Sequence, residues 1–397
     1  MNKDKHIPTG YKPSPLGPIP EDWEVKRILD FAPLQRGFDL PTEKIVKGAY
    51  PVVYSNGILN FHNEYKAKGP GVVTGRSGTI GKVTYVESDY WPHNTSLWVT
   101  DFKGNYPKYV YYTYKYMGLS KFASGSGVPT LNRNDVHVSK IAIPPIEEQE
   151  RICNVLQLWD TAIEKQTALI EKLTLRKRGL MQQLLTGKKR LKGFGGEWKR
   201  IKLGDIAEKI TRKNEEDNQN VVTISAQRGF VVQTDFFNKS VASETLDNYF
   251  LVHKDEFCYN KSYSNGYPMG AIKRLKTFDK AVVTTLYICF ALKSETTTSI
   301  DFFEQYCESG ILNKELVKVA NEGGRAHGLL NVTPFDFFDM HMNIPSINEQ
   351  NAIASVLVNA DKEIEIQKQK LTAMQAQKKG LMQVLLTGKK RIKKLEK

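Results

Sequence analysis

The stretch "RGLMQQLLTGKKRL", Arg178–Leu191, recurs as "KGLMQVLLTGKKRI", Lys379–Ile392, near the end of the chain. The likeness reaches far upstream. "IPPIEEQERICNVLQLWDTAIEKQTALIEKLTLRKRGLMQQLLTGKKRL" begins at Ile143 and "IPSINEQNAIASVLVNADKEIEIQKQKLTAMQAQKKGLMQVLLTGKKRI" at Ile344. They align without a gap at an offset of 201, and about half of the positions are identical. Asp135 and Asp336 keep that offset. A weaker echo opens each half: Trp23, Asp30 and Ala32 against Trp198, Asp205 and Ala207, at an offset of 175. Two copies of one module, alike at their ends and different inside, account for this pattern.

Each constant segment reads as a long helix. Pro144 and Pro145 end an extended stretch, and Glu147, Glu148 and Glu150 place acids in the first turn. Lys188, Lys189 and Arg190 stand at the far end, so both ends oppose the helix macrodipole. Gly187 and Gly388 are placed as C-caps. About 40 proline-free residues lie between, a rod of roughly 60 Å.

Ile152, Leu156, Trp159, Ile163, Ile170, Leu173, Leu180 and Leu184 form a four-three ladder, the seam of a coiled coil. Ile353, Leu357, Ala360, Ile364, Leu371, Met374, Leu381 and Leu385 repeat it. Gln166 and Lys177 interrupt the first seam, Gln367 and Lys378 the second, and polar seam residues fix register and partner. The two helices are therefore expected to pack on one another, antiparallel if the halves are related by a two-fold axis. The alternative is that each packs separately on its own domain. Met181, Leu185, Met382 and Leu386 fall beside the seam and are apolar in both copies, which suggests a docking surface for a partner or, alternatively, contact with the neighbouring domain.

The expected fold class is α+β. Two pseudo-symmetric α/β domains, 1–142 and 193–343, are expected to be separated by antiparallel coiled-coil helices at 143–192 and 344–397. "GPGVVTGRSGTIGKVTYV" gives valine-rich strands and glycine turns, while "VSKIAI" and "MHMNI" read as strands leading into each helix. Tyr109, Tyr112 and Tyr116 share a helical face that reads as core.

With 397 residues the chain has room for two cores. Its formal net charge of +14 suits a polyanion, nucleic acid first. No apolar run approaches the ~20 residues needed to span a bilayer. The N-terminal "MNKDKHIPTGYKPSPLGPIP" reads as a proline-rich extended arm without a signal-peptide core. The four cysteines lack CxxC spacing and the seven histidines are scattered, so no metal site is expected and a cytoplasmic location fits.

In "GRSGTIGKV" five residues separate Gly75 from Gly81, where a phosphate loop needs four, and Val83 stands where Ser or Thr should hold magnesium. Hydrolase, zinc-protease, dinucleotide and amino-methyltransferase motifs are absent. No catalytic residue is assigned. Polar loops suited to DNA remain. Arg76, Ser77, Thr79 and Lys82 sit on the glycine-rich loop, and Ser126, Asn132 and Arg133 on the loop after it. The second half offers Lys261, Tyr263, Ser264 and Asn265, then Arg325 and His327. Arg and Asn can pair bidentately with guanine and adenine, whereas Lys and Ser more often hold phosphates.

With these motifs in view the chain resembles the specificity subunits of type I restriction-modification systems. The repeated "IPPIEEQ…GLMQQLLTGKKR" and "IPSINEQ…GLMQVLLTGKKR" carry the resemblance, with "GVPTLNRNDV" before the first. It implies two target-recognition domains, each reading one half of a bipartite double-stranded DNA site. It also implies that the helices separate them and dock two modification (methyltransferase) subunits, joined by restriction (motor-nuclease) subunits. S-adenosylmethionine, ATP and Mg would be held by those partners, and no cofactor by this chain. Before the second helix the sequence departs, reading "GGRAHGLLNVTPFDFF", so base-reading residues do not transfer between halves. A fused methyltransferase would need the missing motifs; a coiled-coil scaffold or surface interaction protein would show no salt-dependent DNA affinity.

Overall fold

A computed structural model describes residues 7–125, 127–233, 246–322 and 330–392. It divides into two compact units: 1–167 with 369–397, and 168–368. Each contains a domain of mixed strand and helix, one end of the first long helix, Ile146–Leu184, and one end of the second, Ile347–Leu385.

In the first unit four antiparallel strands lie in the order Leu34–Arg36, Ser96–Val99, Gly71–Gly75, Val83–Val86. The second unit repeats this order with Ala207–Lys209, Ile288–Leu292, Phe257–Asn260 and Ala271–Arg274. A further strand pair leads into each long helix: Glu24–Arg27 with Lys140–Ile143, and Lys199–Lys202 with His341–Ile344. The opening of each module is thereby hydrogen-bonded to its close, which is why both keep their sequence while the interior varies. The first unit adds a sheet ordered Gly57–His62, Tyr50–Tyr54, Trp91–Pro92. One shorter helix packs on each four-stranded sheet, Pro107–Met117 in the first unit and Ile300–Glu308 in the second. Tyr109 and Tyr112 of the former are buried as expected, but Tyr116 is exposed.

Within each unit the long helices run antiparallel, and the polar seam residues show the register. In the second unit Lys177 Nζ lies 2.6 Å from Asp361 Oδ1, and Gln305 donates to Asp361 at 2.8 Å. In the first, Lys378 pairs with Asp160, and the Tyr112 hydroxyl donates to that carboxylate at 2.7 Å. Both pairs are equivalent at the offset of 201, and each aspartate also receives a hydrogen bond from the domain's own helix. Burial works to raise the Asp160 carboxyl, but hydrogen bonds from Lys378 and Tyr112 outweigh it and leave the group below the usual aspartate range. Burial pushes Lys378 down more than Asp160 raises it. The carboxylate, served by two donors, is thus the firmer member of the pair.

The ends of the helices repeat the symmetry. Arg190 grips Glu349 through two hydrogen bonds of 2.5 and 2.6 Å, and Arg391 grips Glu148 at 2.5 and 3.1 Å. Gly187 and Gly388 take positive φ, near 70°, as left-handed caps, and a tryptophan from the module's opening covers each: Trp198 over Gly187, Trp23 over Gly388. A side chain at Gly388 would also meet Pro20 at 2.6 Å. The weak echo at the start of each half is therefore the lid on the end of the helix pair.

Two expectations need correcting. The four residues beside the seam are not a free docking surface: Met181 and Leu185 belong to the core that holds Phe302, Tyr306 and Leu312. Met382 and Leu386 lie in the core with Ile19, Tyr109 and Tyr112. A two-helix seam covers only one stripe of each helix, and the unit's own globular part covers the adjacent apolar stripe. The N-terminal arm is not simply extended either. Tyr11–Lys12 pairs with Ile19–Pro20, and the Tyr11 hydroxyl donates to the Gly388 carbonyl at 2.9 Å.

Candidate nucleic-acid interface

In the first unit, the loop that leaves the strand Gly71–Gly75 and the loop ending at Leu131 are joined through their backbones. Leu131 N donates to Arg76 O at 2.7 Å, Gly78 N donates to Pro129 O at 3.2 Å, and Ser77 bridges to Thr130. Arg76 N and Ser77 N both donate to Thr95 O. The loop can turn back this tightly only because Gly75 has no side chain: a Cβ there would stand 1.7 Å from the Thr79 carbonyl oxygen.

The loops thus bring Arg76, Ser77, Thr79 and Lys82 together with Asn132 and Arg133 at the end of one sheet. Thr79, Lys82, Asn132 and Arg133 are exposed, and Arg76 and Ser77 are half-buried. Two of these side chains have local work. Asn132 caps the short helix Arg133–His137, its oxygen accepting from Asn134 N at 3.0 Å. Lys82 reaches the Asn56 carbonyl. Arg76 donates weakly to the Asn94 carbonyl at 3.4 Å, which orients the guanidinium but leaves most of its five donors unused in that contact.

The second unit repeats the arrangement with other residues. Leu330 N donates to Lys261 O at 3.0 Å, so Lys261 stands where Arg76 stands in the first unit. Beyond it Ser264 and Tyr267 close a turn through reciprocal backbone hydrogen bonds of 3.3 and 2.8 Å. Tyr263 is 63% exposed at this turn, and Asn265 is exposed beside it. Arg325 and His327 lie outside the described residues, as does Ser126 in the first unit.

A buried group that sequence reasoning missed holds this turn from below. Lys273 pairs with Glu308 at 2.5 Å, and both contact the Tyr267 hydroxyl, at 3.2 and 3.0 Å. Burial disfavours the charged amine, but Glu308 and Tyr267 outweigh it, and the Lys273 pKa is raised. A buried lysine inside a strand reading "AIKR" has no spacing signal that could announce it.

The surface so formed presents hydrogen-bond donors and positive charge. Among the described residues, no three His, Cys, Asp or Glu side chains come together to hold a metal ion, and no helix is long and apolar enough to cross a membrane.

Residues 20–175 match the family described as the type I restriction modification DNA specificity domain. The chain is 25% identical over 424 residues to the type I restriction enzyme MjaVIII specificity subunit of Methanocaldococcus jannaschii, covering 95% of each chain. In fold it is similar to the S subunit of a type I restriction-modification system from M. genitalium, with a TM-score of 0.56 at 16% identity, over 92% of this chain and 96% of that one. A chain from a structure addressing complex assembly and conformational transition of the type I system gives a TM-score of 0.55 at 12% identity, over 93% and 99%. Residues 20–175 thus carry a specificity-domain match, and the chain shares its fold with those solved structures. Over nearly its whole length, the chain is similar to type I specificity subunits.

Proposed function

We propose that each unit reads one half of a bipartite double-stranded DNA site through its joined loop pair, and that the long helices set the gap between the halves. The observation that carries this reading is the recurrence of one loop-pair geometry, Arg76 with Leu131 and Lys261 with Leu330, on sheets of identical strand order. Equivalent scaffolds with different loop residues suit two readers of different sequence. Arg76, Arg133 and Asn265 are the candidates for base edges, Lys82 and Lys261 for phosphates, and Tyr263 for stacking or a sugar contact. Chemistry belongs to partners in this reading. Two modification subunits bring S-adenosylmethionine, restriction subunits bring ATP and Mg, this chain holds no cofactor, and the complex works in the cytoplasm.

Modified-base sequencing of DNA from cells expressing the whole system tests the reading, with a split motif and a fixed unspecified gap as the expected result. Exchanging residues 1–142 for the equivalent region of a relative is expected to change one half-site only. A chimera altered in both half-sites would rule out independent readers. Arg76→Ala is expected to weaken specific binding by about 1–3 kcal/mol with little change in salt slope if the guanidinium reads a base. Loss on all sequences with a flatter salt dependence would move Arg76 to a phosphate role.

A further inference from the structure

The strand that leads into each long helix is paired on one side only, Lys140–Ile143 with Glu24–Arg27 and His341–Ile344 with Lys199–Lys202. Ile28 N donates to Ser139 O, and Leu203 N donates to Met340 O. Hydrogen-bonded and open pairs alternate along an antiparallel ladder, so Lys140 and Ala142, like His341 and Asn343, turn their backbone groups away from the partner strand. A cleft lies on that outer edge in each unit, about 590 Å³ in the first and about 390 Å³ in the second. Leu386 and Thr387 line the one, and Leu185 and Thr186 line the other, so the clefts are equivalent.

Their contents differ. In the second unit the chain's own side chains stand against the edge. Burial pushes the Tyr306 phenol up, and the Asn343 N–H works against it. Lys318 holds the Glu315 carboxyl below its ordinary range, and the His341 N–H adds to this. In the first unit Thr113 takes the place of Tyr306: Gln149 accepts from Tyr106 N and Gln350 from Ser299 N, and the two residues follow at the same distance along their helices. Threonine has no ring to fill the space, and no carboxylate lines this cleft. Its floor is apolar, with Ile19, Met117, Phe122 and Leu386, and its charge comes from the exposed Lys121 and Lys140. Among the described residues, no strand pairs with this outer edge and no backbone hydrogen bond is made there. A lysine on an open edge deters neutral and basic strands, but it attracts an acidic one.

We infer that the cleft of the first unit is a strand-addition site for an acidic, aromatic-bearing segment of another protein. Its carbonyls accept from the Lys140 and Ala142 amides, its aromatic ring enters the space left by Thr113, and its carboxylates meet Lys121 and Lys140. The second unit shows the chemistry that suits such an edge, because there one tyrosine and one glutamate of the same chain supply it. The inference is independent of how the loops read DNA. A duplex would be drawn by the two lysines but gains nothing from main-chain amides above an apolar floor.

The test uses the full chain and the capped, fluorescein-labelled peptide Val-Glu-Tyr-Glu-Val, whose alternation puts its apolar residues on one face and its acids on the other. Saturable binding by fluorescence anisotropy is expected, with slower hydrogen exchange at the Lys140 and Ala142 amides. The peptide Val-Lys-Tyr-Lys-Val, or the acidic one N-methylated along its backbone, should bind about tenfold more weakly or worse. Thr113→Tyr should close the cleft from within and abolish binding. Lys121→Glu with Lys140→Glu, both on exposed side chains, should reverse the preference in favour of the lysine peptide, and this pair decides the matter if Thr113→Tyr does not fold. Absence of saturable binding, or binding that both variants leave unaltered, would overturn the inference. So would unchanged exchange at the two amides with peptide bound. Slowed exchange there with duplex DNA but not with peptide would make this a nucleic-acid cleft, and slowed exchange on formation of a dimer seen by sedimentation would give the edge to a second copy; either result also overturns it.

Discussion

Arg391→Ala is expected to destabilise the first unit by about 3 kcal/mol, near the low end of the range for breaking a buried ion pair. The carboxylate left behind, Glu148, is 1% exposed, and its remaining side-chain donor is the Trp23 indole at 3.1 Å. Arg391 itself is 37% exposed and also reaches Asp22 at 2.7 Å, so water can enter its place, which argues for the low end. For a unit of this size such a loss corresponds to a fall of roughly 6–12 °C in the midpoint of thermal unfolding. Glu148→Gln should cost less, because an amide leaves no unpaired charge in the core. Arg190→Ala should do to the second unit what Arg391→Ala does to the first, since Glu349 is equally buried. Arg176→Ala is the control. Its pair with Glu363 is 3.4 Å long and open to solvent on both sides, and its loss should stay within about 0.5 kcal/mol. Urea unfolding of the three arginine variants decides the matter: if Arg391→Ala loses no more than Arg176→Ala, this end of the helix pair is not held by its ion pair.

The same contact shows what the sequence made legible and what it did not. The repeat and the two helices are readable because a 3.5-residue period and identical polar interruptions favour mutual packing, antiparallel if a two-fold axis relates the halves; the pairs Lys177–Asp361 and Lys378–Asp160 come from the structure. The strands beside each helix were readable from alternation. The pairing of Arg391 with Glu148 was not, since charged residues at two helix ends separated by 243 positions carry no sign of their partners. Nor was the fate of Met181 and Leu185: an apolar position beside a seam looks the same whether a partner or the chain's own domain covers it. The loops were legible as polar and glycine-rich, but their meeting depends on backbone hydrogen bonds such as Leu131 to Arg76, which any residue type can make. Base-reading side chains therefore stay the least legible part of the chain, and Asn132, which looked like a reader, has its oxygen engaged as a helix cap.

Inserting one heptad after Thr167 and another after Lys368, the two places where the units divide, is expected to yield a modification motif with both half-sites unchanged and a gap longer by about three base pairs. Seven residues lengthen a helix by roughly 10 Å, and duplex DNA rises 3.4 Å per base pair, which sets that number. A heptad is the insertion to use because it returns the helix faces to within about 20° of their former direction. Both sites lie outside the stretches paired within a unit, so Lys177 with Asp361 and Lys378 with Asp160 are left as they are. The added base pairs also turn the second half-site by more than a quarter of a helical turn, about 100° at roughly 10.5 base pairs per turn. The duplex must absorb that rotation, so modification should be slower as well as displaced. An insertion in one helix alone gives the contrast, because the unequal rods cannot keep both polar pairs, and it should lose modification altogether. A doubly extended chain that assembles and modifies DNA at the original gap would mean that something other than helix length measures the site.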